Sequence, residues 1–139
     1  MVRAVFDASV VISACGWGAD SYRCLIMVAR RRVRSFAAEL IITEWRETLA
    51  ELEKEGTLFR RDPWPTLEWL IEMSQIAAPA PLGKRRSRDA GDDPYLACAL
   101  AVRAEFIISR DNDLLALGKP FGVAVVTPRA FLSLLQRAH

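Results

Sequence analysis

The sequence predicts an α/β protein built on a parallel sheet with helices on both faces. Short apolar runs rich in β-branched and aromatic residues alternate with longer segments whose apolar residues recur at helical spacing. The short runs show little polar alternation, which is typical of parallel strands that are buried on both faces. No repeat, low-complexity tract or linker interrupts this pattern, so we expect one domain over residues 1–139.

The first half of the chain begins with an apolar strand, Met1–Phe6, that stops at Asp7. Asp20-Ser21 is expected to cap a helix that runs to Ala29, because short polar side chains satisfy free amides at helix N-termini. The other elements expected here are a strand over Val33–Ala37, a helix over Thr43–Lys54 that stops at Gly56, and a helix after Pro65.

The second half opens with a loop rich in proline, glycine and basic residues, Pro79–Gly91. Asp92-Asp93-Pro94 then starts a helix, and Thr127-Pro128 starts the last one, because proline is favoured in a first helical turn. Between these helices we expect a strand over Phe106–Ser109, a short helical turn over Asn112–Leu117 and a strand over Val123–Val126.

Composition excludes several classes of protein. The formal net charge is only +2, so any contact with nucleic acid must come from local basic patches. The three cysteines have no C-x-x-C spacing, which argues against a zinc or disulfide framework and for a reducing compartment. No apolar run approaches the ~20 residues that a membrane span needs. We therefore expect a cytoplasmic protein without a membrane partner.

Acidic residues follow the strands of the predicted sheet. Asp7 comes directly after the first strand and Asp111 after the Phe106–Ser109 strand, so both are expected at the carboxyl edge of the sheet, where α/β proteins place their sites. Asp93 and Glu44 begin helices that start at the same edge, and Asp113 lies two residues beyond Asp111. These five acids form the predicted site.

Converging carboxylates repel one another unless a cation or shared protons compensate. Oxygen ligands of this kind suit Mg²⁺ or Mn²⁺, and a metal so bound activates water for phosphodiester hydrolysis. The only histidine is His139, and no P-loop, G-x-G-x-x-G or G-x-S-x-G motif is present. Acidic metal chemistry is therefore the enzyme class that the residues favour.

Each acid also has a purely structural interpretation. Asp93 is a plausible helix cap, Asp111 and Asp113 are plausible turn residues, and Glu44, like Glu47 one turn later, is a plausible surface charge. Asp7 is harder to explain in this way, because a carboxylate at the end of a buried strand is costly without a partner. The choice between Glu44 and Glu47 stays open at this point.

Several segments together resemble a PIN-domain ribonuclease of the VapC-like kind, the toxin of bacterial and archaeal toxin–antitoxin pairs. The similarity extends over essentially the whole chain and is carried by Val5-Phe6-Asp7-Ala8-Ser9-Val10-Val11, Thr43-Glu44, Arg88-Asp89-Ala90-Gly91-Asp92-Asp93-Pro94-Tyr95-Leu96-Ala97, Ile108-Ser109-Arg110-Asp111-Asn112-Asp113-Leu114-Leu115 and Thr127-Pro128-Arg129-Ala130-Phe131-Leu132. The family often has Asp-Thr-Asn after its first strand, where this chain has Asp7-Ala8-Ser9.

The resemblance implies a three-layer α/β/α sandwich with a central parallel sheet, and cleavage of single-stranded RNA that depends on Mg²⁺ or Mn²⁺. It implies catalytic and metal-binding roles for Asp7, Glu44, Asp93 and Asp111, with Asp113 as a further metal ligand. It also implies a homodimer and a cognate antitoxin as partners.

Substrate contacts are expected from Ser9, whose hydroxyl can bind a carboxylate or a metal-bound water, and from the basic residues Lys84, Arg85, Arg86 and Arg88. The alternative function is a PIN-like module that binds RNA or a protein without cutting. A phosphatase of the haloacid-dehalogenase type is disfavoured, because it needs an Asp where Ser9 stands. A receiver domain lacks its adjacent acids, and a DNA structure-specific nuclease lacks its duplex-binding module.

Overall fold

The computed structural model describes residues 1–78 and 93–137. Its centre is a five-stranded, all-parallel sheet in the order β3-β2-β1-β4-β5. The strands are β1 (Val2–Phe6), β2 (Val33–Ala37), β3 (Gln75–Ile76), β4 (Phe106–Ile108) and β5 (Ala124–Val126). Three consecutive residues of β1, Ala4, Val5 and Phe6, are fully buried, as expected of a central parallel strand covered on both faces.

Seven α-helices surround the sheet in the described part of the chain. They are α1 (Ala8–Gly16), α2 (Ala19–Ala29), α3 (Glu39–Lys54), α4 (Trp64–Met73), α5 (Asp93–Val102), α6 (Asn112–Leu115) and α7 (Pro128–Arg137), and a 3-10 turn lies at Pro120–Gly122. Thr127 caps α7 as predicted, because its hydroxyl accepts the amide of Ala130 at 3.1 Å.

The connections explain how helices cover both faces. From β1 to β2 to β3 the chain moves towards one edge of the sheet, and from β3 to β4 to β5 it moves towards the other. Parallel connections are almost always right-handed, so this reversal places α5 on the face opposite the helices that join β1, β2 and β3. Helix α5 packs along β1, β2 and β4. The predicted α/β fold with a central parallel sheet is confirmed.

Two local features differ from what the sequence predicted. Helix α1 was not expected, since Val10, Val11 and Ile12 are β-branched and favour strands. Asp20-Ser21 does not cap α2, which begins at Ala19 after Gly18. Gly18 has φ +107°, a conformation open to glycine alone, and it lets the chain turn directly from α1 into α2.

Two further boundaries differ. Helix α3 begins at Glu39, four residues before the predicted Thr43, and the two-residue edge strand β3 was not foreseen. The predicted loop Pro79–Gly91 lies outside the described residues. Within residues 1–78 and 93–137, no helix is long and apolar enough to cross a lipid bilayer.

Candidate active site

Asp7 lies where the direction of the chain through the sheet reverses. Phe6 pairs with Ile108 across β1 and β4, and the amide of Asp7 donates to the carbonyl oxygen of Ile108 at 3.0 Å. This pairing brings the carboxyl ends of the two strands together, although they are far apart in sequence. The Asp7 side chain is only 5% exposed. Asp7 therefore lies where it was predicted, at the carboxyl edge of the sheet and at the point where the strand order changes direction.

Two serine hydroxyls hold the Asp7 carboxylate. Ser9 Oγ and Ser109 Oγ each donate to Asp7 Oδ2 at 2.7 Å. Burial raises the pKa of Asp7 above its ordinary value of 3.8, and the nearby charge of Asp111 adds to that increase. The two hydroxyls and the backbone amide of Ala8 oppose it without cancelling it. Asp7 is thus a strongly oriented carboxylate that lacks a compensating positive charge among these neighbours.

Ser9 binds protein groups on both sides. Besides donating to Asp7, its hydroxyl accepts the backbone amide of Arg110 at 3.0 Å. The hydroxyl therefore connects the start of α1 to the segment after β4. The hydrogen bond from Ser9 to the Asp7 carboxylate is one of the two contacts that were predicted for Ser9.

Glu44 approaches the site from α3 through Tyr95 of α5. The Tyr95 hydroxyl donates to Glu44 Oε1 in a short hydrogen bond and accepts the amide of Ala8 at 3.3 Å. Burial is the main cause that raises the pKa of Tyr95 above its ordinary value of 10.0, and the hydrogen bond to Glu44 is the second. The phenol therefore remains a hydrogen-bond donor at neutral pH. Glu47, one turn further along α3, is exposed. Of the two glutamates, Glu44 is the one connected to the surroundings of Asp7.

Asp111 combines a structural role with proximity to Asp7. Its Oδ1 accepts the amide of Asp113 at 2.8 Å and caps α6, so the structural interpretation of Asp111 is correct as far as it goes. Its own amide donates to Ser109 Oγ at 2.9 Å, and its charge acts on Asp7. Ser109 therefore connects the two aspartates. Asp113 is half-buried in the first turn of α6.

Arg110 is a cation beside these carboxylates that the sequence analysis did not assign to the site. The side chain is exposed, and its Nη1 donates to Ser13 Oγ at 2.6 Å. It lines two surface grooves of about 340 and 420 Å³. Its position between β4 and the predicted site residue Asp111 could have indicated that Arg110 lies near the site.

Tyr95 and Ser109 were also missed. Each lies within two residues of a predicted acid, on the same element or directly after a strand. That proximity in sequence could have drawn attention to them, but their partners depend on side-chain direction.

Asp93 and four basic residues are the remaining predicted members of the site. Asp93 is the first residue of α5, and its side chain lies outside the described part of the structure. Lys84, Arg85, Arg86 and Arg88 lie outside the described residues. Among the side chains that are described, no three Asp, Glu, Cys or His are grouped closely enough to hold a metal ion.

The donor set nevertheless fits a hard divalent cation. It consists of carboxylate oxygens, which Mg²⁺ and Mn²⁺ prefer. Burial desolvates the Asp7 carboxylate, and the negative charge of Asp111 repels it. A bound cation would offset both effects.

The fold and this acidic switch point define an α/β protein with a site at the carboxyl edge of its sheet. The model of the PIN domain family matches residues 3–113, so the chain belongs to the PIN domain family. PIN domains are generally nucleases and typically use divalent metal ions, which supports a nuclease-like role.

The fold is also similar to the crystal structure of PAE2754 from Pyrobaculum aerophilum. The TM-score is 0.65 at 18% sequence identity, over 98% of this chain and 90% of that chain. At this identity the likeness concerns the fold alone. No curated protein matches the sequence.

Proposed function

We propose that this PIN domain is an endoribonuclease that depends on Mg²⁺ or Mn²⁺ and hydrolyses phosphodiester bonds of single-stranded RNA. The observation that carries the proposal is the buried Asp7 carboxylate, fixed by two hydroxyls at the switch point and repelled by Asp111. This arrangement lowers the stability of the folded protein, because desolvating a carboxylate beside a like charge is unfavourable. A bound cation would offset that cost.

In this proposal Asp7, Glu44, Asp93 and Asp111 hold the metal, and Asp113 assists them. When bound, the metal would supply hydroxide at neutral pH and offset the charge that develops on the phosphate oxygens. Ser9 and Ser109 keep one oxygen of Asp7 occupied, which fixes the direction of the other. Tyr95 does the same for Glu44 by donating to Oε1.

The RNA backbone needs positive charge beside this acidic site. Arg110 is exposed, its guanidinium lies at Ser13 one turn beyond Ser9, and it supplies one cation. We propose that Lys84, Arg85, Arg86 and Arg88 supply others, and that Ser9 contacts substrate as well as Asp7. These contacts would bring a phosphate to the carboxylates despite their like charge.

We further propose that the enzyme is the toxin of a toxin–antitoxin pair, with a cognate antitoxin and a homodimer as its protein assemblies. Support comes from the sequence resemblance. An apolar groove between α2 and α4, lined by Tyr22, Leu25, Ile26 and Trp69, is a suitable surface for a protein contact.

The test is cleavage of labelled single-stranded RNA by purified protein in Mn²⁺ or in EDTA. We expect cleavage in Mn²⁺ and none in EDTA. Asp7→Asn should reduce the rate by more than the ~10–100-fold that loss of an outer-shell partner costs. The matched control is Glu47→Gln, an exposed carboxylate on α3 whose loss should leave the rate unchanged.

Loss of activity in Asp7→Asn is not expected to reflect unfolding. The amide removes a charge whose pKa burial has raised, so the variant should be at least as stable as the parent at neutral pH. Cleavage that persists in EDTA or in Asp7→Asn would contradict the proposal. RNA binding without cleavage in any metal would favour the non-cutting module.

A further inference from the structure

A groove leads away from the acidic site along one face of α1. We call it the α1–α3 groove; its volume is about 420 Å³, within the ~300–1,000 Å³ range of ligand sites. Ser9 lines it near the carboxylates, the Arg110 guanidinium lies at Ser13 one helical turn further along, and Trp17 lines it beyond Ser13. Ile12, Thr48 and Leu52 add apolar surface between α1 and α3.

Helical geometry sets the length of the groove. Ser9, Ser13 and Trp17 follow one another at intervals of four residues, so they lie on the same face of the helix. At 1.5 Å per residue, Trp17 is about 12 Å along the axis from Ser9. An extended RNA strand with one phosphate at Asp7 would place a base at Trp17 within a few nucleotides.

Trp17 is exposed yet held in place. The side chain is 41% exposed, although its ring packs against that of Phe59 with centroids 5.3 Å apart. Phe59 approaches closely because Gly16 has no Cβ; one placed there would lie 2.5 Å from Phe59 Cδ1. The amide of Arg60 also donates to the carbonyl oxygen of Gly16 at 2.9 Å. Together these contacts support one side of the indole and leave another open.

The loop after α3 fixes the end of α1 a second time. Arg61 donates to the carbonyl oxygens of Ala14 and Cys15, at 2.9 and 3.3 Å. These bonds satisfy carbonyl groups that would otherwise lack partners at a helix C-terminus. A rigid aromatic residue loses little conformational entropy when a ligand stacks on it, which is the property that a binding platform needs.

The positive charge of the groove favours an anionic ligand. Arg110 is the charged side chain among its lining residues, and none of those residues is acidic. A cation at Ser13 and an open indole four residues further along match a nucleotide, which carries an anionic phosphate and an aromatic base. A purely apolar protein segment would leave the Arg110 guanidinium without an anionic partner.

We infer that the α1–α3 groove is a subsite for single-stranded RNA, in which Arg110 contacts a backbone phosphate and Trp17 stacks on an unpaired base beside the cleavage point. The inference rests on the proposed function for its direction. Only an unpaired base offers its face to an aromatic side chain, so Trp17 would make cleavage depend on local single-stranded structure.

The test measures binding rather than cleavage and uses Asp7→Asn protein in EDTA, with a short 5′-fluorescein-labelled RNA of mixed sequence. Stacking is worth ~5- to 150-fold in affinity per base, so Trp17→Ala should weaken binding by a factor in that range. Trp17→Phe keeps a ring and should lose less. The matched control is Leu58→Ala, which is 89% exposed in the same loop as Phe59 and does not line the groove; its affinity should not change.

A series of RNAs, each with one abasic position, locates the contact. One abasic position should weaken binding to Trp17-containing protein and have no further effect on Trp17→Ala. If Trp17→Ala does not fold, tryptophan fluorescence serves instead: unlabelled RNA should quench Asp7→Asn protein and quench Asp7→Asn/Trp17→Phe less.

Two outcomes would overturn the inference. In one, Trp17→Ala binds RNA as tightly as its parent; in the other, quenching is the same with Trp or Phe at position 17. Either result would exclude stacking of RNA on Trp17 and leave a protein segment as the alternative occupant of the groove. Because the readout needs neither metal nor cleavage, failure of the nuclease proposal would appear separately, as an absence of cutting.

Discussion

Ser109 offers a direct test of how the charge of Asp7 is stabilised. Its side chain is fully buried, donates to Asp7 Oδ2 at 2.7 Å and accepts the amide of Asp111 at 2.9 Å. Ser109→Ala removes both bonds with little change in shape. A hydrogen bond to a charged group contributes ~1.5–3 kcal/mol and a neutral one ~0.5–1.5 kcal/mol. We expect the free energy of unfolding to fall by about 2–4 kcal/mol at pH 8.

The deficit should depend on pH in a defined direction. Burial raises the folded-state pKa of Asp7 above 3.8, so the folded protein binds this proton more tightly than the unfolded chain does. The contribution of Asp7 to stability is therefore complete below pH 3.8 and decreases as pH rises through the folded-state pKa. Ser109→Ala raises that pKa further, because it removes a bond to the charged form. The deficit should grow across this interval and reach its full value above the pKa of the variant.

The assay is urea unfolding followed by tryptophan fluorescence, in EDTA, for Ser109→Ala alone and combined with Asp7→Asn. The loss caused by Ser109→Ala should be about 1–1.5 kcal/mol smaller when position 7 is neutral. Ser35→Ala is the matched control. Ser35 is also fully buried, on β2 at the other side of β1, but its partner at 2.7 Å is the neutral hydroxyl of Ser74. Equal losses at both charge states of position 7, with no dependence on pH, would refute the reasoning.

Two further predictions concern other buried groups. Tyr95→Phe removes the donor to Glu44 and should weaken Mn²⁺ binding by about 10–100-fold in titration calorimetry; unchanged affinity would exclude a role for this bond in positioning Glu44. The three cysteines should resist iodoacetamide in native protein at pH 8 and react in urea, as followed by mass spectrometry, because burial raises the pKa to about 12 for Cys15 and Cys24 and about 11 for Cys98. Rapid labelling of the native protein would contradict the second prediction.

The sheet was predictable where composition and burial agree. β4 is a continuous apolar run and β1 is apolar except for the exposed Arg3; the burial of Ala4–Phe6, Ile107 and Ile108 is what such runs indicate. Helix α1 was not predictable from propensity, because Val10, Val11 and Ile12 favour strands as isolated residues. Burial of all three, in a helix that packs against α2, α3 and α4, outweighs that preference. β3 escaped prediction because its two residues are exposed and only backbone pairing with β2 defines it.

The candidate site was likewise predictable only in part. The rule that sites lie at the carboxyl ends of parallel strands predicted the neighbourhood of Asp7 and Asp111 without any knowledge of side chains. It gave no means to choose Glu44 over Glu47, since that choice depends on which glutamate meets Tyr95 across two helices. The roles of Ser109 and Arg110 likewise follow from the register of β1 with β4. Sequence spacing does not contain that register.

The pairing of β1 with β4 also controls when the site comes into existence. Ser109 and Asp7 are 102 residues apart in the chain, yet they share a hydrogen bond. At the ~5–20 residues per second of protein synthesis, Asp7 exists for roughly 5–20 s before Ser109 and Asp111 are made. Any fragment that ends before β4 therefore has a central strand with an open edge and only part of the acidic cluster. The chemistry proposed for this fold therefore requires that synthesis has passed Asp111, and we expect a fragment that stops before β4 not to cleave RNA.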